Sequence, residues 1–223
     1  MGRPMKNGFV KQLGIIAYGP AHDLQMTLVD RLHRREQEDV CLLLQHEPVF
    51  TLGRHASEEH IMVSPEKLAQ NRIELVKTER GGQVTYHAPG QIIGYPIINL
   101  RRLKLRIADY VSALEQIMLD TVAEFGIAAS RDKRNHGIWC GGKKLGSVGI
   151  AVRHGISYHG FALNVCPDMT PFNWINPCGM AEVSMTSMVE VLERKIAVQD
   201  VEAVLSRQID SCFSIPEVFC ATC

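Results

Sequence analysis

At 223 residues, 46% of them apolar, the chain is long enough to bury a substantial core, and one domain across residues 1–223 is expected. Its 24 basic and 24 acidic side chains cancel, so no overall field favours nucleic acid or an anionic membrane surface, and neither is expected as a partner. No apolar run approaches the ~20 residues of a membrane span, the opening MGRPMKNGFV lacks the apolar stretch of a secretory signal, and seven irregularly spaced cysteines read as reduced thiols, so a cytoplasmic location is expected.

Short apolar runs rich in branched residues predict strands over Leu13–Tyr18, Val40–Gln45, Ile73–Thr78 and Gln91–Leu100. Between the first two, Leu24, Leu28 and Leu32 recur at helical spacing. The clearest helix runs from Ile107 to Phe125, where Tyr110, Val111, Leu114, Ile117, Met118, Thr121 and Val122 share one face and Gly126 offers a stop. Strands over His136–Cys140, Lys144–Arg153 and Tyr158–Val165, closely spaced and separated by glycine turns, predict an antiparallel meander; a last helix is expected over Val198–Cys212. The order predicts an α/β fold, a mixed α+β sheet with helices packed on one side of it.

The segment RGGQVTYHAPGQ, Arg80 to Gln91, reads as a turn built to touch a ligand. Gly81, Gly82 and Gly90 let backbone N–H groups come close to a bound group, and Arg80, Thr85 and His87 add donors. It matches neither the P-loop nor the G-x-G-x-x-G pattern.

A second turn, Asn176-Pro177-Cys178-Gly179, places a cysteine between a residue of fixed φ and one free to take positive φ. On the turn alone, Cys178 is either a small buried apolar residue or a presented thiol with the Gly179 amide beside it as an oxyanion donor. A nucleophilic cysteine needs a group that favours the thiolate. Lys144 is the candidate: in KKLGSVGIAVR it shares strand parity with Val148, Ile150 and Val152, the more apolar face, so it should point inward and Lys143 outward. An inward lysine acts either as a neutral base or as an ammonium paired with the thiolate; a lysine reaching out along the sheet edge is the alternative, and a bulge near Gly146 would overturn the parity. Cys41, Cys140 and Cys166 lie in or beside apolar strands and read as buried hydrophobes. Cys220 and Cys223 form a C-x-x-C without a second ligand pair, so no metal is expected. His87 and His159, each beside a tyrosine and a glycine-containing turn, are read as shaping the pocket.

Three segments, RGGQVTYHAPGQIIGY, KKLGSVGIAVR followed by YHGFALNV, and NPCG, together resemble the bacterial lipoyl(octanoyl) transferases over about residues 35–190. The resemblance implies the α/β fold shared with biotin and lipoate protein ligases. It implies that Cys178 carries a transient octanoyl thioester and that Lys144, matching the lysine of the family's K-x-x-S-x-G segment, lowers its pKa. It extends substrate contact to Arg80, Gly81, Gly82, Gln83, Val84, Thr85, Tyr86 and His87, to Ser147, Val148 and Gly149, and to His159, Gly160, Phe161 and Ala162. The donor would be octanoyl-acyl carrier protein and the acceptors lipoyl domains of 2-oxoacid dehydrogenases and the glycine-cleavage H protein, with no cofactor. Because acyl carrier protein is acidic, Arg101, Arg102, Lys104 and Arg106 are the candidate docking cluster. Competing readings are an ATP-dependent lipoate or biotin-type ligase, an amidotransferase acting between carrier proteins, and a catalytically silent binder of lipoyl domains.

Overall fold

The computed structural model describes residues 9–176 and 183–214. Its main sheet has six strands in the order β1-β2-β6-β9-β8-β7, formed by β1 (Val10–Ile16), β2 (Val40–His46), β6 (Gln91–Ile97), β7 (Gly137–Cys140), β8 (Lys143–Arg153) and β9 (Ile156–Asn164). β1 and β2 run parallel, joined by helix α1 (Tyr18–His33), and the remaining neighbours are antiparallel. The expected meander β7-β8-β9 is therefore present. A second, three-stranded sheet in the order β4-β3-β5 uses β3 (Val49–Leu52), β4 (Glu74–Lys77) and β5 (Val84–His87).

Strand parity divides the core into two layers. Cys41 and Leu43 of β2, Ile92 of β6 and Phe161 and Leu163 of β9 pack with α3 (Ile107–Glu124) and α5 (Val198–Ser214). Leu42 and Leu44, Ile93 and Tyr95, and Ala162 face the other way and pack with Ala21, Leu28, Val29 and Leu32 of α1. Helices thus cover both faces of the large sheet, which corrects the one-sided packing expected from sequence. The central strands β2, β6 and β9 are buried on both faces and mostly apolar, a pattern that demands cover on both. The small sheet has its own apolar cluster, with Phe50, Leu52, Val84 and Tyr86 packed on Phe172 and Ile175.

The long helices match their expected limits. α3 ends where Gly126 takes φ +86°, and α5 runs to Ser214. β1 does not match: it begins at Val10 and stops at Ile16, because Tyr18 opens α1 and a register shift between Gln12 and Ile15, with Gly14 at φ +67°, breaks the LGIIAY run. β3, β5 and the short helices α2 (Pro65–Gln70) and α4 (Met188–Leu192) are additional to the expected elements. A third of the expected turn Arg80–Gln91, Val84–His87, is strand β5. Cys41 is buried, but Cys166 is exposed beyond the end of β9, and Cys140 is half-buried. Cys178, Gly179, Cys220 and Cys223 lie outside the described residues.

Candidate active site

A cleft opens where the small sheet meets strands β6, β8 and β9. Its walls include Arg80, Gly81, Gly82, Gln83, Val84, Thr85 and His87; Ser147, Val148 and Gly149; and His159, Gly160, Phe161 and Ala162. Lys144 lines it too, and the catalytic cysteine expected from sequence, Cys178, lies outside the described residues. Tyr86 is the exception among the expected contacts. On β5, Thr85 and His87 face the cleft while Tyr86 packs edge-on against Phe50 and Phe172, so its ring belongs to the small-sheet core. Burial pushes its phenol up to about 12.

The glycine-rich loop is held from three directions. Gly81 N–H donates to Ile150 O (2.9 Å), Gly53 N–H to Gln83 O (3.0 Å) and Arg54 N–H to Arg80 O (2.9 Å). Gly82 sits at φ +89°, where a side chain would be strained, and a methyl at Gly53 would collide with the Gly82 carbonyl. Arg80, 8% exposed, turns inward: its guanidinium donates to Thr51 O (2.6 Å), Thr51 Oγ1 (2.9 and 3.1 Å), Gln83 O (2.7 Å) and Gly81 O (3.0 Å). The donors assigned to substrate from sequence are largely spent on shaping the loop. Gly53 and Thr51 are supports that the sequence reading missed, because β3 was not anticipated; the glycine closing the apolar run VFTL was the available signal.

Lys144 is 3% exposed and Lys143 is exposed, as expected, but parity is not the reason. Opposite β7, Ile138 pairs with Gly146 and Trp139 with Lys144, which leaves Leu145 as an extra residue. This bulge flips the face: Leu145 joins Val148 and Ile150 in the layer under α3, while Lys144 shares the cleft side with Ser147 and Gly149. The Lys144 amine lies over the Trp139 ring, 5.6 Å from its centroid. Its backbone is clamped by the returning chain, with Lys144 N–H donating to Ser184 O (2.8 Å) and Thr186 N–H to Lys144 O (2.9 Å).

A buried chain of amides joins that clamp to His87. Asn164 Nδ2 donates to Thr186 O (2.9 Å), Gln91 Nε2 donates to Asn164 Oδ1 (2.7 Å) and to Tyr86 O (3.2 Å), and Gln91 Oε1 faces His87 Nδ1 (2.7 Å). Main-chain carbonyls can only accept, so each amide has one allowed orientation and His87 must carry its proton on Nδ1. Its Nε2 then bears a lone pair, 3.4 Å from the Thr51 hydroxyl. Burial, with His46 and Arg80 nearby, pushes the His87 pKa well below its usual value. His46 behaves alike: Nδ1–H donates to Ile16 O (2.9 Å), Tyr95 O–H donates to Nε2 (2.8 Å), and burial lowers its pKa to about 4. Tyr18, Ile93, Tyr95, Asn135 and Met185 complete the lining and were not assigned to it from sequence.

The four-residue basic cluster is partly neutralised. Arg102 contacts the buried Asp39, and Arg106 makes a two-pronged pair with Asp109 (2.7 and 2.8 Å).

The mixed sheet with helices on both faces is a fold shared with lipoate and biotin protein ligases. The structure aligns with a lipoate-protein ligase A bound with ATP (TM-score 0.72, 15% identity, 93% of this chain and 85% of that one). It aligns similarly with a bipartite lipoate protein ligase from Thermoplasma acidophilum, studied with its E2 lipoyl domain (0.69, 14%, 92% and 83%). The biotin protein ligase of Aquifex aeolicus, with biotin and ATP, is more distant (0.55, 11%, 93% and 70%). Residues 17–210 match the model of the lipoyl protein ligase A/B catalytic domain. Octanoyltransferases of Desulfotalea psychrophila (45% identity, 81% of this chain and 82% of that protein) and Alkaliphilus metalliredigens (42%, 82% and 84%) are much nearer in sequence. The chain belongs to the octanoyltransferase family within that catalytic-domain class.

Proposed function

We propose that this protein is the acyltransferase that moves an octanoyl group from acyl carrier protein to a lysine amine of lipoyl domains, on 2-oxoacid dehydrogenases and the glycine-cleavage H protein, through a thioester on Cys178. The observation that carries the reading is Lys144: a lysine 3% exposed on the wall of a cleft, its backbone bonded to Ser184, six positions after Cys178. Family membership supplies the acyl group, and the NPCG turn supplies the nucleophile.

In the first half-reaction the Cys178 sulfur attacks the octanoyl carbonyl, its S–C bond forms, and the carrier's S–C bond breaks to release the pantetheine thiol. One thioester replaces another, so no nucleotide is needed to drive the step. Lys144 serves either by taking the thiol proton as a neutral amine or by holding the thiolate as an ammonium. In the second half-reaction the acceptor amine attacks the same carbonyl, an amide forms, and the Cys178 thiol is restored. Ser147 to Gly149 and Gly160 to Ala162 line the acyl path, while the Arg80-braced loop covers it. The amide chain from His87 to Thr186 keeps the loop and the Lys144 clamp in one register. Arg101 and Lys104, beside the paired Arg102 and Arg106, are the proposed steering charges for the acidic carrier.

The test is to incubate the protein with octanoyl-acyl carrier protein without ATP and measure its intact mass. An added octanoyl group, removed by hydroxylamine and missing from Cys178→Ala, is the expected result. Acylation that requires ATP, or that persists in Cys178→Ala, overturns the reading in favour of an adenylating ligase or another nucleophile.

A further inference from the structure

At the α1 side of the cleft three potential metal-ligand atoms from three separate elements converge. His22 Nε2 projects from α1, Glu79 Oε2 from the residue before the glycine-rich loop, and His159 Nε2 from β9; all lie within 4.8 Å of one another. His22 Nε2 is 3.2 Å and His159 Nε2 3.8 Å from Glu79 Oε2. Tetrahedral zinc with bonds of ~2.0–2.2 Å has ligand-to-ligand edges of about 3.3–3.6 Å, so two of the edges are close to those of a metal site.

A hydrogen-bonded His22–Glu79 pair would account for the first distance. It does not account for His159. That ring is buried, with its side chain 2% exposed, and its Nε2 has no hydrogen-bond partner among the described residues. A buried polar atom left in this state costs stability unless something else satisfies it. The backbone there is also unusual: His159 takes φ +54°, which redirects its ring out of the strand's alternation, and its N–H is pinned by the buried Gln25 Oε1 at 2.8 Å. The fixed ring holds Nε2 toward partners with more room to move, since the His22 and Glu79 side chains are 24% and 53% exposed and can draw in from edges that all lie within 4.8 Å.

We infer that His22, Glu79 and His159 form a binding site for a first-row divalent transition-metal ion of the zinc class, one that ties α1 to the wall of the cleft. Two imidazoles and one carboxylate select such an ion over calcium or magnesium, which prefer all-oxygen shells. The nearby Arg80 guanidinium, with His46 also facing His159, disfavours an ion held by charge alone and sharpens that preference. Three protein ligands leave a fourth position for water or for a donor from a bound molecule. His159 also lines the cleft, so an ion here fixes one of its walls.

Cobalt(II) titration of the reduced, full-length protein tests the site independently of acyl transfer. One equivalent is expected, with visible ligand-field absorption, no thiolate-to-cobalt charge transfer, and a rise in melting temperature. His22→Ala and Glu79→Gln alter exposed or half-exposed side chains and should keep the fold by circular dichroism. Since even outer partners of metal ligands are worth about 10–100-fold in affinity, each should weaken binding at least about tenfold. Absence of cobalt uptake, equal uptake by the wild type and both variants, or a spectrum dominated by thiolate charge transfer overturns the site.

Discussion

Gln91 Nε2 donates to Asn164 Oδ1 at 2.7 Å across the β6–β9 pair, the middle link of the chain that orients His87 and the Thr186 carbonyl together. Both side chains are buried, at 2% and 1% exposure, so neither can exchange its partner for water. Gln91→Ala strands Asn164 Oδ1 and His87 Nδ1–H without a replacement. It should cost roughly 2–6 kcal/mol, from about 1–3 kcal/mol for each of the two orphaned groups, and appear as a lower urea midpoint. Octanoyl transfer should fall with it, because the loop and the Lys144 clamp lose their common register.

Lys144→Met keeps much of the side-chain volume and removes the amine. Cys178 acylation should slow by ~10²–10⁴, the usual worth of positioned proton transfer, while binding of octanoyl-acyl carrier protein changes little. Rapid-quench acylation kinetics set against direct binding separates the two. An unchanged acylation rate would remove Lys144 from the chemistry.

Gly53→Ala tests the support beneath the loop. Its added methyl meets the Gly82 carbonyl, a backbone atom that cannot rotate away, so the loop must shift. Transfer should drop at least tenfold, and loop amides should exchange faster in hydrogen-exchange mass spectrometry. Tyr86→Phe, whose ring lies in the small-sheet core, should leave the acylation rate within about twofold.

Acid should unfold this protein through its histidines. Burial lowers the pKa of His46 to about 4 and of His159 to about 3, and that of His87 well below its ordinary value. Between pH 6.5 and those folded values the unfolded chain binds more protons than the native one, so stability is full above about pH 6.5 and falls as pH drops. Each group contributes up to about 1.4 kcal/mol per pH unit in that window. Urea unfolding at pH 7.5, 6 and 5 should show a steepening loss, and His46→Gln should flatten it. A pH-independent midpoint would contradict the buried neutral state. Cobalt-bound protein should follow a different profile, because the metal holds His159 deprotonated.

Local chemistry was enough for much of the architecture. The heptad-like face of Ile107–Phe125, the glycine-punctuated run from His136 to Val165 and the apolar stretch after Val40 each carried a period that one backbone conformation satisfies. β3 and β5 were not visible, since a four-residue strand repeats too few times to declare its period and part of Arg80–Gln91 was masked by the glycines on either side. One-sided helix packing failed because reading the continuous apolar run VCLLLQH simply as a strand overlooks the consequence of its missing alternation, that both of its faces are covered.

The site divides along the same line. Sequence by itself determined the residue types of the cleft, because backbone close approach demands glycine and a motif stores that demand in neighbouring letters. Only tertiary structure decided what those residues do: it spent Arg80 on Thr51 and its own loop, turned Tyr86 into the core, and through the Leu145 bulge set Lys144 on the cleft face that simple alternation denies it. The meeting of His22, Glu79 and His159 belongs to it as well. Periodicity encodes a residue's immediate neighbours, whereas contacts between residues 57 or more positions apart depend on register and bulges that no local pattern records.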